Sequence, residues 1–123
     1  MPKRKLDPLP AAAFHILLSL SEGALHGYAI MRQVEGQTEG KVRLGPGTLY
    51  SSIQALLEER LIEEVQPAQA PAEDGSISNS PKDRRRLYRL TSGGRKLARS
   101  EAERLAGILR IARAKNILRG EYV

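Results

Sequence analysis

The last stretch of this chain carries an apolar stripe too long for the rest of the molecule to cover. From Ser92 to about Leu118, the residues Leu97, Ala98, Ala102, Leu105, Ile108, Leu109 and Ala112 recur at three- and four-residue steps, the repeat of one helix face. At about 1.5 Å per residue, such a helix is roughly 40 Å long. A chain of 123 residues builds one modest core, and the stripe reaches past it. Pairing with a second copy, helix against helix, is the expected solution.

Upstream, Asp7-Pro8 reads as an N-cap followed by proline at the first helical position. The segment that follows, to about Leu20, is apolar almost all round, so it must be buried on more than one side. A second subunit is one way to cover it. Gly23 ends that helix, and His26-Gly27 opens a short second one to about Glu35, with Ile30, Met31 and Val34 on one face and Gly36 and Gly40 as breakers. A third helix starts near Thr48 and runs to about Arg60, its Leu49, Ile53, Leu56 and Leu57 following a 3.6-residue period. Ile62 to Val65 and Arg86 to Leu90 read as short strands. Gln66 to Arg85, rich in Pro, Ala, Ser, Gly and Asp, is too long for an ordinary loop and is expected to form the tip of a hairpin.

The fold class is therefore mainly α with a small β-hairpin: a winged helix-turn-helix followed by a long C-terminal dimerisation helix. Residues 1–7 form a basic tail, 8–91 the winged domain with its wing loop at about 66–85, and 92–123 the C-terminal helix. In this order of elements the third helix enters the major groove of DNA while its apolar face stays in the core. Stepping ~100° per residue from Leu49, the face opposite the apolar one carries Ser51, Gln54, Ala55 and Glu58, flanked by Thr48 and Ser52, with Tyr50 at the border. Gln bonds adenine, Ser and Thr bond bases or phosphates, and Ala touches a thymine methyl. The Gly47-Thr48 start offers free N–H groups to a phosphate. Glu58 and Glu59 would repel one, so this end of the helix is expected to point away from the DNA backbone.

Charge agrees only in part. The net charge is +6, which favours a polyanionic partner. Yet the stretch from residue 8 to 66 is acidic on balance, and the surplus comes from Lys3-Arg4-Lys5, from Arg84-Arg85-Arg86 with Arg89, and from the C-terminal third. Lys82, Arg84, Arg85 and Arg86 sit where a wing would meet the backbone or minor groove, with a merely solvated turn as the equal alternative, and Lys41 and Arg43 precede the third helix within reach of a phosphate. Tyr88, alternating with Leu87 and Leu90, reads as packing.

No enzyme chemistry is visible. With no Cys and only two His, a transition-metal site is not expected. Gly45-Pro46-Gly47-Thr48 lacks the spacing and lysine of a phosphate-binding loop, and Ser51 has no neighbouring base. No catalytic residue, cofactor or metal is assigned. No apolar run approaches the ~20 residues of a membrane span, so a cytoplasmic protein without membrane contact is expected.

The words His26-Gly27-Tyr28-Ala29-Ile30, Gly47-Thr48-Leu49-Tyr50, Leu56-Leu57-Glu58-Glu59-Arg60-Leu61-Ile62 and Arg86-Leu87-Tyr88-Arg89-Leu90-Thr91-Ser92-Gly93-Gly94-Arg95 fall in order across roughly residues 9 to 97. Together they resemble the PadR-type transcriptional regulators, in the shorter branch with a single C-terminal helix. The resemblance implies that Tyr28, Thr48 and Tyr50 lie at or near the DNA backbone and that the Arg86 strand belongs to the wing. Ser51-Ser52 stands where many members carry proline or another small residue, and the wing loop is longer and richer in Pro and Ala than usual. Some relatives bind small aromatic or cationic molecules between their C-terminal helices, which makes a small-molecule effector at the dimer interface one implied partner. This chain has no Trp and no aromatic in that helix before Tyr122, so an effector held by aliphatic surface and no effector at all both stay open.

The expectation is thus a homodimeric, sequence-specific repressor of transcription on double-stranded DNA with a near-palindromic operator. Its DNA contacts are Tyr28, Lys41, Arg43, Thr48, Tyr50, Ser51, Gln54, Arg84, Arg85 and Arg86; its dimer contacts are Phe14, Leu17, Leu97, Leu105, Ile108, Leu109 and Ala112. The competing reading is a winged-helix module that binds another protein, motivated by the acidic tail of the third helix. Binding of single strands is a weaker third, since stacking aromatics are scarce.

Overall fold

The computed structural model describes residues 9–65 and 86–118. Its elements are α1 (Ala11–Ser19), β1 (Leu25–His26), α2 (Gly27–Gln37), α3 (Pro46–Glu58), β2 (Ile62–Val65), β3 (Leu87–Leu90) and α4 (Ser92–Ala114). Three helices, a hairpin and a long helix make this a winged helix-turn-helix, as expected. Asp7-Pro8 and the hairpin tip lie outside the described residues. The first helix begins at Ala11, with Pro10 as its N-cap, rather than at residue 8.

α1 is the centre of the fold. It packs against α2, α3 and α4, and Ala13, Ile16, Leu17 and Leu20 are no more than 1% exposed. Its all-round apolarity is met largely from within one chain. Leu17 lies fully inside, at 0% exposure, so it offers no surface to a second subunit; the dimer assignment of that residue is corrected. Burying a side chain of this size contributes about 1.5–3 kcal/mol.

The other helices bury one face each. Ile30 and Val34 of α2 and Leu49, Ile53 and Leu56 of α3 join that core. Gly36, expected to break α2, lies inside it. The helix stops instead at Glu39, which takes a left-handed φ of 56°, and Gly40, at 80°; the Gly40 N–H donates to the Glu35 carbonyl at 2.8 Å. α3 ends the same way, with Arg60 at φ 60° and the Leu61 N–H donating to the Leu56 carbonyl at 2.9 Å. These bonds satisfy helix-end carbonyls and turn the chain sharply, which aims Ile62 straight into β2.

The sheet has the order β1-β3-β2, antiparallel throughout. β2 pairs with β3 in the register Ile62↔Leu90, Glu63↔Arg89, Glu64↔Tyr88 and Val65↔Leu87. β1 adds Leu25↔Tyr88 and His26↔Leu87; a two-residue strand is too short to leave a periodic trace in the sequence. Tyr88 is 1% exposed and packs in the core, as expected.

Thr91 fastens the long helix to this body. Its hydroxyl accepts from the Gly94 N–H at 3.0 Å and donates to the Arg60 carbonyl at 2.7 Å. A Cβ on Gly94 would collide with the Leu61 carbonyl, so only glycine permits this approach. Beyond it, Leu97 and Ala98 rest on the core. Farther along, Ile108 and Leu109 stand 47% and 41% exposed.

Candidate nucleic-acid interface

α3 is amphipathic in the sense that a groove-binding helix requires. Leu49, Ile53 and Leu56 anchor it, and Thr48, Ser51, Gln54 and Glu58 face solvent. Ala55, expected on that outer face, is only 8% exposed. α3 is touched by α1, α2 and β2, which widens the covered arc beyond the aliphatic stripe, and a methyl group is easily shielded. Ala55 is therefore unavailable to a thymine methyl.

At its start, α3 has Gly45 as N-cap with no side-chain cap, and Pro46 in the first turn. The first helical bond there is donated by the Leu49 N–H to the Gly45 carbonyl at 2.8 Å, so the Gly47 and Thr48 N–H groups precede the ladder and carry the positive end of the helix dipole. The Ser51 hydroxyl donates back to the Thr48 carbonyl at 3.3 Å, and Gln54 Nε2 donates to Glu58 Oε2 at 3.4 Å. Both are exposed, single bonds that a base or phosphate could replace.

The N-terminal turn of α2 meets α3 beside this face. A Cβ on Gly27 would come within 2.8 Å of the Tyr50 hydroxyl and 3.3 Å of its Cζ, so the Tyr50 ring rests on the glycine. Tyr28, the next residue, is 58% exposed. Arg32 Nη1 donates to the Tyr28 hydroxyl at 3.3 Å, and the guanidinium carbon lies 5.9 Å from the ring centroid. That hydrogen bond, with the accompanying charge interaction, raises the Arg32 pKa above its ordinary value. Arg32 was not among the expected contacts; its i,i+4 spacing from Tyr28 was the available signal.

The expected basic contacts fall into three groups. Lys41 is exposed. Arg43 pairs with Glu35 at 3.2 Å, and Arg86 with Glu64 at 3.9 Å. Exposed pairs of this kind contribute only about 0–1 kcal/mol, so exchanging a carboxylate for a phosphate is inexpensive. Arg84 and Arg85 lie outside the described residues. Along the wing strands, Arg89 bonds Glu63, its cross-strand partner, at 2.7 Å. His26, flanking α2, has its Nδ1 3.0 Å from the Arg86 carbonyl, which ties the start of α2 to the base of the wing.

Residues 16–100 match the Transcriptional regulator PadR-like family. The chain belongs to this family. Among curated relatives, it is 37% identical over 91 residues to an uncharacterised 37.1 kDa protein in transposon TN4556 of Streptomyces fradiae. That match covers 74% of this chain but 22% of the relative, so the chain spans about a fifth of that protein. Among solved structures, a transcriptional regulator from Clostridium thermocellum superposes with a TM-score of 0.63 at 23% identity, over 83% of this chain and 89% of the other. Bacillus subtilis PadR, determined in complex with operator DNA, gives 0.58 at 18% identity, over 77% and 48%. F93 from STIV, a winged-helix DNA-binding protein, gives 0.59 at 17% identity, over 79% and 89%, and at these identities the likenesses show the fold alone. Family and neighbours are regulators of transcription rather than enzymes. Among the described residues, no helix is long and apolar enough to cross a membrane and no group of His, Asp or Glu could hold a metal ion.

Proposed function

We propose that this PadR-like protein is a homodimeric, sequence-specific DNA-binding repressor acting on a near-palindromic operator. The observation that carries the reading is α3: aliphatic anchors on one side, and Thr48, Ser51 and Gln54 exposed on the other, beside Tyr28, Tyr50 and the wing. Thr48, Ser51 and Gln54 are the proposed groove contacts. Tyr28, Tyr50, Lys41, Arg43 and Arg86 are the proposed backbone contacts, with Arg84 and Arg85 assigned from sequence alone. A neighbour of the same fold bound to its operator supports the assignment.

For the dimer, α4 supplies the contact. Leu105, Ile108, Leu109 and Ala112 continue the stripe begun by Leu97, and Ile111 is 56% exposed beside it. Phe14, half-buried on α1, is the proposed contribution of the first helix. Two buried nitrogens without a hydrogen-bond partner among the described residues, His15 Nδ1 and Arg113 Nε, lie on these same two helices. Described α4 contains no aromatic side chain, so any effector bound between the two copies of α4 is held by aliphatic groups.

The test is selection of genomic fragments with purified protein, followed by binding to the enriched duplex at two salt concentrations. A near-palindromic site with a steep salt slope is the expected outcome, and Gln54→Ala is expected to weaken binding to it about tenfold. Absence of any enriched duplex, together with capture of a specific protein partner, would move the function to the protein-binding alternative that the acidic end of α3 suggests.

A further inference from the structure

We propose that Arg32 and Tyr28 act as one unit on α2 that grips a DNA phosphate, with Arg32 positioning the Tyr28 hydroxyl and supplying the charge behind it; this rests on the DNA-binding reading above. The guanidinium touches two parts of the same side chain: it lies 5.9 Å from the ring centroid and donates to the hydroxyl at 3.3 Å. The phenol, 58% exposed, thereby has its hydroxyl oxygen engaged by a cation. Because the oxygen accepts from a cation, its own O–H becomes a stronger donor. Among the described residues, nothing takes that proton.

A neutral donor backed by a fixed cation matches a tetrahedral monoanion such as a backbone phosphate. Glu35 pairs with Arg43 at 3.2 Å and acts on Arg32 only as a minor charge interaction. The unit also has a defined place. Tyr28 follows Gly27, on which the Tyr50 ring rests, so the pair stands at the junction of α2 with the N-terminal half of α3. With α3 in the groove, that junction meets the sugar-phosphate edge rather than the bases.

The experiment measures binding of Tyr28→Phe, Arg32→Gln, Arg32→Lys and the Tyr28→Phe/Arg32→Gln double variant to two fluorescent duplexes. One duplex carries the enriched sequence and the other a scramble of it. Tyr28→Phe and Arg32→Gln are each expected to weaken both duplexes by the same factor, about tenfold. The double variant is expected to be no weaker than the worse single, because the two groups act together. Arg32→Lys is expected to keep the salt slope without recovering the affinity, since lysine has the charge but not the planar fork.

Full affinity in Arg32→Gln, full rescue by lysine, or a double variant equal to the product of the singles overturns the unit. If Gln54→Ala weakens only the enriched duplex while Tyr28→Phe and Arg32→Gln change neither, this inference falls and the DNA-binding reading stands. If the unaltered protein binds no duplex, both fall. Both side chains are exposed, so melting temperatures within about 2 °C of the parent are expected.

Discussion

α1, apolar almost all round, and α4, with one long apolar stripe, each offer more apolar surface than one neighbour covers, and the fold treats them in opposite ways. Ala13, Ile16 and Leu17 of α1 are sealed to 1% exposure or less by α2, α3 and α4 of the same chain. In α4, twenty-three residues long, Gly94 alone is buried. From sequence, α4 is expected to meet a second subunit, and such a subunit is one way to cover α1. The difference is one of reach. A nine-residue helix is about 14 Å long and fits within one core, whereas α4, at about 35 Å, outlasts it. Apolar density therefore signals burial, and helix length decides whether the same chain can supply it.

The largest effect is expected from removing the centre of α1. Leu17→Ala leaves a cavity among α1, α2 and α3 and is expected to cost about 2–5 kcal/mol. In a domain of this size that lowers the melting temperature by roughly 10 °C or more. The loss should be the same at every protein concentration, because the contacts lie within one protomer. A drop that disappears as the protein is concentrated would return Leu17 to the dimer interface.

The complementary substitution acts on the far half of α4. Ile108→Asp with Leu109→Asp removes apolar surface that is 47% and 41% exposed in the protomer, so the winged domain should stay folded by circular dichroism. Sedimentation should shift from dimer to monomer at micromolar concentration, and the concentration dependence of the melting temperature should vanish. A variant that still sediments as a dimer would place the interface elsewhere.

These two cases also mark what the sequence made legible. The 3.6-residue spacing of Leu49, Ile53 and Leu56 located α3 and its buried face, since large aliphatic side chains report their own environment. Ala55 is misplaced by the sequence because its methyl carries little periodic signal and its burial depends on the elements packed around α3. β1 was missed because Leu25 and His26 become a strand only by pairing with Leu87 and Tyr88, more than sixty positions away. Gly36 stays inside α2 because glycine propensity is weak beside tertiary packing, while the stop uses Glu39 in a left-handed conformation. At the interface, Thr48, Ser51 and Gln54 are exposed where expected. The Tyr28–Arg32 contact and the pairing of Arg43 and Arg86 with glutamates depend on side-chain geometry, on which composition is silent.

The smallest expected effect separates how the two helices are held. Described α1 carries no Asp, Glu, Lys or Arg, so its contribution rests on burial. α4 has the Glu101–Arg104 pair, one turn apart. The hydrogen bond from Arg104, with its charge, holds the Glu101 carboxyl below its ordinary value of 4.5. A lowered value means that the folded helix prefers the ionised form. The stabilisation is therefore complete above 4.5 and is lost as the pH falls through the lowered value. Glu101→Gln should melt slightly below the parent near neutral pH, and the two should converge in acid, as thermal scans at several pH values would record. Leu17→Ala should keep its deficit across the same range, because removing a buried methyl cluster changes no proton binding. Convergence of the Leu17→Ala variant with the parent in acid would mean that α1, too, is held by a titrating group, and would erase the distinction between the two helices.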